Sequence, residues 1–236
     1  MNSQEYARWL SINSVIGIVI LAAIAAEAPF SLPLCLFWGV ASYVLLAFAI
    51  VPRMRAADWL SASRVLLSSL AVICVELGAA TWPSPVLFAL AIATDWVDGY
   101  LARRTGATWH GARLDMEADQ LLVLLLAVAV MEHTALGVLT LMLPGFKYLF
   151  TLLTRAVRVP VGEVKPVRGD NRRARLIFIF VVAALFINLP SLPVYLSVKL
   201  PMPQGQATDA ILFVAVVLLC ISFSSDWLYQ WRHRWT

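Results

Sequence analysis

The chain has 236 residues, 61% of them hydrophobic and 14% charged, with a mean hydropathy of +0.81 and a formal net charge of +4. Soluble domains hold about 45–50% apolar and about 25% charged residues, so this composition excludes a soluble enzyme or a nucleic-acid-binding domain and implies an integral membrane protein. The basic excess has therefore to be read against membrane topology.

Apolar stretches of near twenty residues, broken by proline, glycine or charge, predict eight membrane-spanning helices at about residues 10–27, 33–51, 59–80, 84–101, 112–132, 135–155, 174–190 and 208–226. The first follows Arg8 and could pass for a secretory leader. It runs for most of a span, however, and a second follows within a few residues, so it reads as a retained helix. With this division Arg8, Arg53, Arg55, Arg103, Arg104, Arg113, Arg155, the Arg158–Arg175 cluster, Arg232 and Arg234 all fall on one side, and the opposite connections hold only Lys199. The positive-inside rule then puts both termini in the cytoplasm. Trp9, Trp59, Trp82, Trp109 and Trp227 fall near span ends, where interfacial aromatics belong. Cys35, Cys74 and Cys220 sit in apolar runs without metal-type spacing and read as small buried hydrophobes. No linker sets off a soluble domain, so the expected fold class is an all-α helical bundle in the membrane.

The fourth and fifth spans carry what such segments ordinarily exclude: Asp95, Asp98, Asp115 and Asp119. Intramembrane carboxylates are costly and mark functional sites by default. At 3.6 residues per turn, Asp95, Asp98, Gly99 and Ala102 share one face of the fourth helix, and Asp115 and Asp119 share a face of the fifth. The short turn between them makes the two helices antiparallel neighbours, so the four carboxylates converge near the cytoplasmic surface. Clustered hard oxygen ligands suit Mg²⁺ or Mn²⁺, whereas zinc would call for His or Cys. Gly99 and Ala102 clear space either for close approach of a ligand or for close helix packing, Arg103 is placed either to meet a phosphate or to snorkel to the membrane surface, and Gly111 serves either a ligand or close helix packing.

The stretch Asp95-x2-Asp98-Gly99-x2-Ala102-Arg103, followed by Gly111-x3-Asp115-x3-Asp119, resembles the signature of the CDP-alcohol phosphatidyltransferase family. Each fixed residue is matched, with a spacer from Arg104 to His110 one residue shorter than usual. Upstream, Ala57-Asp58-Trp59-Leu60-Ser61 with Arg64 is similar to the sequence that opens the core of family members. The resemblance implies a six-helix family core at 57–236 preceded by two additional helices in 1–56. It implies transfer of a phosphatidyl group from CDP-diacylglycerol, or a related CDP-alcohol, to an acceptor hydroxyl with release of CMP, a step of phospholipid biosynthesis. Asp95, Asp98, Asp115 and Asp119 would hold metal, with two ions the family pattern, and Asp119 would also act as general base. Ser61, Arg64, Asp98, Gly99, Ala102, Arg103 and Gly111 would border the CDP moiety.

Lys147 lies mid-span, an expensive place for a lysine unless it faces a polar cavity. Lys147, Arg155 and Lys165 are similar in spacing to the basic residues of phosphatidylglycerophosphate-synthase-like members, which implies a phosphorylated polyol acceptor such as glycerol 3-phosphate or inositol phosphate. An uncharged acceptor (serine, inositol or choline) is the alternative within the same chemistry. Outside it stands a cation-coupled transporter, which would have no need of Gly99, Ala102 and Arg103 at these spacings. The family implies membrane lipid as surroundings, homodimers as a common state, and no nucleic-acid partner. A bacterial inner membrane with the site facing the cytoplasm is the expected location.

Overall fold

The computed structural model describes residues 3–50, 55–77, 83–106, 108–157, 170–190 and 204–232. Among the described residues every regular element is a helix, and there is no strand. It forms α1 (Ser3–Ala25), α2 (Ser31–Ile50), α3 (Ala56–Glu76), α4 (Pro83–Thr105), α5 (Trp109–Met131), a short 3-10 helix (Gly137–Leu141) leading into α6 (Met142–Ala156), α7 (Asp170–Ile187) and α8 (Gln204–Arg232). Each expected span has its helix. Two differ in detail: α1 begins at Ser3, well before its apolar run, and the sixth span is a 3-10 turn continued by a shorter α-helix.

Five of these segments are long and apolar enough to cross a membrane: Gln4–Ala25, Ser31–Ala49, Ala56–Glu76, Gly137–Ala156 and Thr208–Leu228. The other three, α4, α5 and α7, carry charge clusters at one end, and in α4 and α5 those clusters include the aspartates. The outer surface is apolar, with Phe30, Phe37, Phe48 and Trp96 largely exposed, as side chains facing lipid should be. This is an all-α membrane protein.

Helix α5 is the centre of the bundle. Every residue from Leu121 to Val130 is buried, so the helix is apolar all round and enclosed on all sides. Helices α3, α2, α6 and α7 pack against it, α4 lies along α3, α1 lies along α6, and α8 closes against α6 and α7.

Local chemistry sets the helix ends that matter for the site. The Arg55 N–H donates to Asp58 Oδ2 at 2.8 Å, which starts α3, and Thr108 Oγ1 accepts the Gly111 N–H at 3.1 Å, which starts α5. Between α4 and α5 the chain reverses at Gly106, whose φ of +85° only glycine adopts without strain. The Arg55 guanidinium holds the Gly106 carbonyl at 3.1 Å and ties this turn to the start of α3.

Candidate active site

The four aspartates meet, and an arginine stands between them. Arg64 of α3 is completely buried, and each terminal nitrogen of its guanidinium serves one helix. Nη2 lies 2.5 Å from Asp98 Oδ2 and 3.3 Å from Asp95 Oδ1, both on α4. Nη1 lies 2.9 Å from Asp115 Oδ1 and also pairs with Asp119 Oδ1, both on α5. A planar cation with two forks is suited to bridging two carboxylate pairs, which a lysine could not do. Nε is held 3.5 Å from Thr94 Oγ1. Ser61, one turn before Arg64, donates to Asp98 Oδ2 at 3.3 Å.

One carboxylate oxygen from each of Asp95, Asp98 and Asp115 lies within 4.8 Å of the others. That donor set is all hard oxygen and drawn from two helices, so it fits a divalent cation of the magnesium or manganese type. Asp119 stands outside this triangle and is reached through Arg64. Among the three, Asp98 is buried, whereas the side chains of Asp95 and Asp115 are 36% and 39% exposed and open to an incoming ligand.

The cluster lies between two cavities whose linings differ in polarity. On one side is a hollow of about 220 Å³ between α3, α4 and α5, lined by Asp58, Ser61, Asp98, Gly99, Gly111 and Asp115 and bordered by Arg55 and Thr108. On the other is a groove of about 320 Å³ between α4, α5 and α7, whose walls are Ile92, Leu122, Phe178, Val182 and Phe186 and whose polar edge is Asp95 and Asp119. Asp98 and Asp115 thus border the hollow, and Asp95 and Asp119 border the groove. The small residue at Gly111 is needed here: a Cβ at that position would lie 2.9 Å from Asp58 Oδ1, so it keeps the start of α3 close to α5 as well as lining the hollow.

Ser61, Asp98, Gly99 and Gly111 therefore lie around one cavity. Ala102 and Arg103 belong to the last turns of α4, and their side chains fall outside the described residues, as does Lys165 altogether. Lys147 and Arg155 are not brought to the aspartates. Lys147 Nζ lies 2.9 Å from Glu117 Oε1, an ion pair off the hydrogen-bonding axis, and Glu117 leaves α5 about half a turn away from Asp115 and Asp119. Arg155 donates to the Ala7 carbonyl at 2.9 Å and to Ser11 Oγ, both on α1.

Arg64, which the resemblance sets beside the nucleotide, pairs with all four aspartates, a contact that the sequence does not reveal. Two further residues are not among the sequence candidates. Glu117 lies inside the aspartate motif, and its position two residues after Asp115 was the available signal that it faces the other way. Tyr43 of α2 is buried with a hydroxyl lacking a hydrogen-bond partner, and it lies within the electrostatic reach of Arg64, Asp115, Asp58 and Asp98.

A family model described as CDP-alcohol phosphatidyltransferase matches residues 54–221, which include Arg64, the four aspartates and the residues that line both cavities. The chain belongs to the CDP-alcohol phosphatidyltransferase family. Helices α1 and α2 precede the matched stretch. Among curated proteins it is similar to the CDP-diacylglycerol–glycerol-3-phosphate 3-phosphatidyltransferase of Yersinia enterocolitica, with 40% identity over 84 residues, 34% of this chain and 46% of the relative. The protein of the same name from Salmonella choleraesuis is 44% identical over 73 residues, 30% of this chain and 40% of that one. The similarity thus spans less than half the length of these family members. No solved structure matches the chain at a significant level.

Proposed function

We propose that the protein transfers a phosphatidyl group from CDP-diacylglycerol to the hydroxyl of glycerol 3-phosphate. The observation that carries this reading is the placement of the aspartates between a hollow edged by Asp58, Ser61 and Thr108 and a groove walled by apolar side chains. A CDP-lipid is itself divided in this way, with a nucleotide at one end, acyl chains at the other and a pyrophosphate between. The hollow suits the nucleotide, the groove suits the chains, and the reacting phosphorus then falls at the carboxylates. The names of the Yersinia and Salmonella relatives favour glycerol 3-phosphate as the acceptor.

In the reaction, the acceptor oxygen bonds to the lipid-side phosphorus, the phosphorus–oxygen bond to CMP breaks, and CMP leaves with the bonding electron pair. The acceptor's proton passes to a carboxylate, which we assign to Asp119 because it stands at the edge of the cluster, outside the triangle of ligand oxygens. Asp95, Asp98 and Asp115 would hold Mg²⁺ or Mn²⁺, as one ion or two, to neutralise charge on the pyrophosphate. Ser61 and Gly99 line the nucleotide's hollow, and Gly111 leaves the room for it. With Lys147 and Arg155 engaged elsewhere, Lys165 remains the basic residue assigned to the acceptor's phosphate. The site faces the cytoplasm in a bacterial inner membrane on this reading, in keeping with the basic connections on its side.

The test is release of CMP from CDP-diacylglycerol by purified protein with Mg²⁺ or Mn²⁺, comparing glycerol 3-phosphate, inositol phosphate, inositol, serine and choline. Turnover with glycerol 3-phosphate supports the assignment. Preference for an uncharged acceptor overturns the choice of acceptor, and no release with any of them overturns the reaction.

A further inference from the structure

Helix α5 carries polar side chains on two opposite faces. Asp115 and Asp119 face α3 through Arg64. About half a turn round the helix, Arg113, Glu117 and Gln120 form a second stripe. Each has a partner on α1 or α6. The Arg113 guanidinium carbon sits 3.6 Å from the centre of the Tyr6 ring. Glu117 Oε1 takes Lys147 Nζ at 2.9 Å and accepts from the Tyr6 hydroxyl at 3.4 Å. Gln120 Nε2 donates to the Pro144 carbonyl at 2.8 Å. Tyr6 and Glu117 are both buried, though 111 residues apart in the chain. Arg155 fastens α1 to α6 a little further along, through the Ala7 carbonyl and Ser11.

This arrangement answers a mechanical need. From Leu121 onward α5 is apolar on every side, so the directional contacts that set its rotation lie in its first half, at Arg64 on one face and at the Glu117 set on the opposite face. Rotation matters here, because turning a helix by about 10° moves a carboxylate about 5 Å from the axis by about 1 Å. Displacements of that size cost about 10²-fold when a reacting group is misplaced. A buried ion pair, by contrast, is satisfied in one register only.

We propose that Glu117, held by Lys147 of α6 and Tyr6 of α1, is a positioning residue that sets the rotation of α5 and hence the place of Asp115 and Asp119. Helix α1, outside the family-matched stretch, is then part of the working site, and Lys147 is a brace that does not touch the acceptor. The inference rests on the phosphatidyltransferase reading for its catalytic consequence, but its structural content is measurable without substrate.

The experiment is a titration of Mn²⁺ into the substrate-free protein, followed by electron paramagnetic resonance, alongside the steady-state assay, for Glu117→Gln, Lys147→Met, Lys147→Arg and Tyr6→Phe. Expected are a loss of Mn²⁺ affinity of about tenfold in Glu117→Gln and Lys147→Met, as for groups that orient metal ligands. A fall in kcat should accompany it, with the KM for glycerol 3-phosphate within about twofold of wild type, and Lys147→Arg, which keeps the pair, should stay near wild type. Tyr6→Phe removes one hydroxyl without disturbing the packing and carries the test, with a smaller loss of Mn²⁺ affinity, should Glu117→Gln not fold. Unchanged Mn²⁺ affinity in the variants that fold overturns the proposal. So does a raised acceptor KM in Lys147→Met with Mn²⁺ affinity intact, which would return Lys147 to the acceptor. Failure of the wild-type protein to release CMP defeats the phosphatidyltransferase reading alone, and the Mn²⁺ titration still decides the brace.

Discussion

Arg64 and Asp98 meet at 2.5 Å in an ion pair from which solvent is almost wholly excluded, and the same guanidinium also reaches Asp95, Asp115 and Asp119. One cation from α3 thus holds together carboxylates from α4 and α5 that would otherwise repel each other. Replacing Arg64 with Gln leaves these carboxylates without their buried partner, at a cost of about 3–5 kcal/mol. The expected result is a marked fall in the melting temperature of the metal-free protein in detergent, partly recovered by added Mg²⁺. Arg64→Lys should recover little, since a single ammonium cannot serve both helices.

The different positions of Asp98 and Asp119 predict different losses. Asp98→Asn removes a member of the oxygen triangle and should weaken Mn²⁺ binding and abolish CMP release together. Asp119→Asn should leave most of the Mn²⁺ affinity and lower kcat by about 10²–10⁴-fold, the usual contribution of a general base. The comparison needs only a Mn²⁺ titration and a rate measurement on each variant.

Gly111 tests the packing between α3 and α5. An added methyl group would press on Asp58 Oδ1 from 2.9 Å, so Gly111→Ala should displace that carboxylate, lower the melting temperature modestly and narrow the hollow. The expected kinetic signature is a raised KM for CDP-diacylglycerol. Asp58→Ala in the same chain should relieve the clash while removing the side chain that caps the Arg55 N–H, so the melting temperature should recover only in part.

The apolar groove makes a prediction about chain length. Val182 and Phe178 form part of its wall, and a bulkier Val182→Trp would fill space assigned to acyl chains. The KM should rise for CDP-dioleoylglycerol and much less for a dihexanoyl analogue. An equal effect on both would argue that the chains lie elsewhere.

Much of this was legible in the sequence. Span-length apolar runs located the eight helices, because in a membrane every backbone polar group must be satisfied within its own segment. The spacing of Asp95, Asp98, Asp115 and Asp119 places each pair on one face of its helix, because helical periodicity leaves few other arrangements. Helices α4 and α5 do not pack side by side as the short turn suggests, however: both lie against α3, whose Arg64 joins the two pairs. Pairings between remote segments were not legible. Arg64 is 55 residues from Asp119, and Tyr6 is 111 from Glu117, so nothing local indicates either contact. Lys147 stands out in the sequence as anomalous in an apolar span, but the resemblance assigns it to the acceptor's phosphate and not to a partner within the chain. Helical phase points instead to Glu117, since a residue two places from Asp115 emerges on the far side of α5.

The decisive assay is CMP release by the purified protein from CDP-diacylglycerol and glycerol 3-phosphate, with Mg²⁺ supplied or withdrawn by chelation. The structure and its relatives lead us to expect release that requires both the acceptor and the divalent cation and that is lost in Asp98→Asn. Release that persists in the chelated protein or in Asp98→Asn, or none under any condition, would contradict the assignment of the aspartate cluster as a phosphatidyl-transfer site.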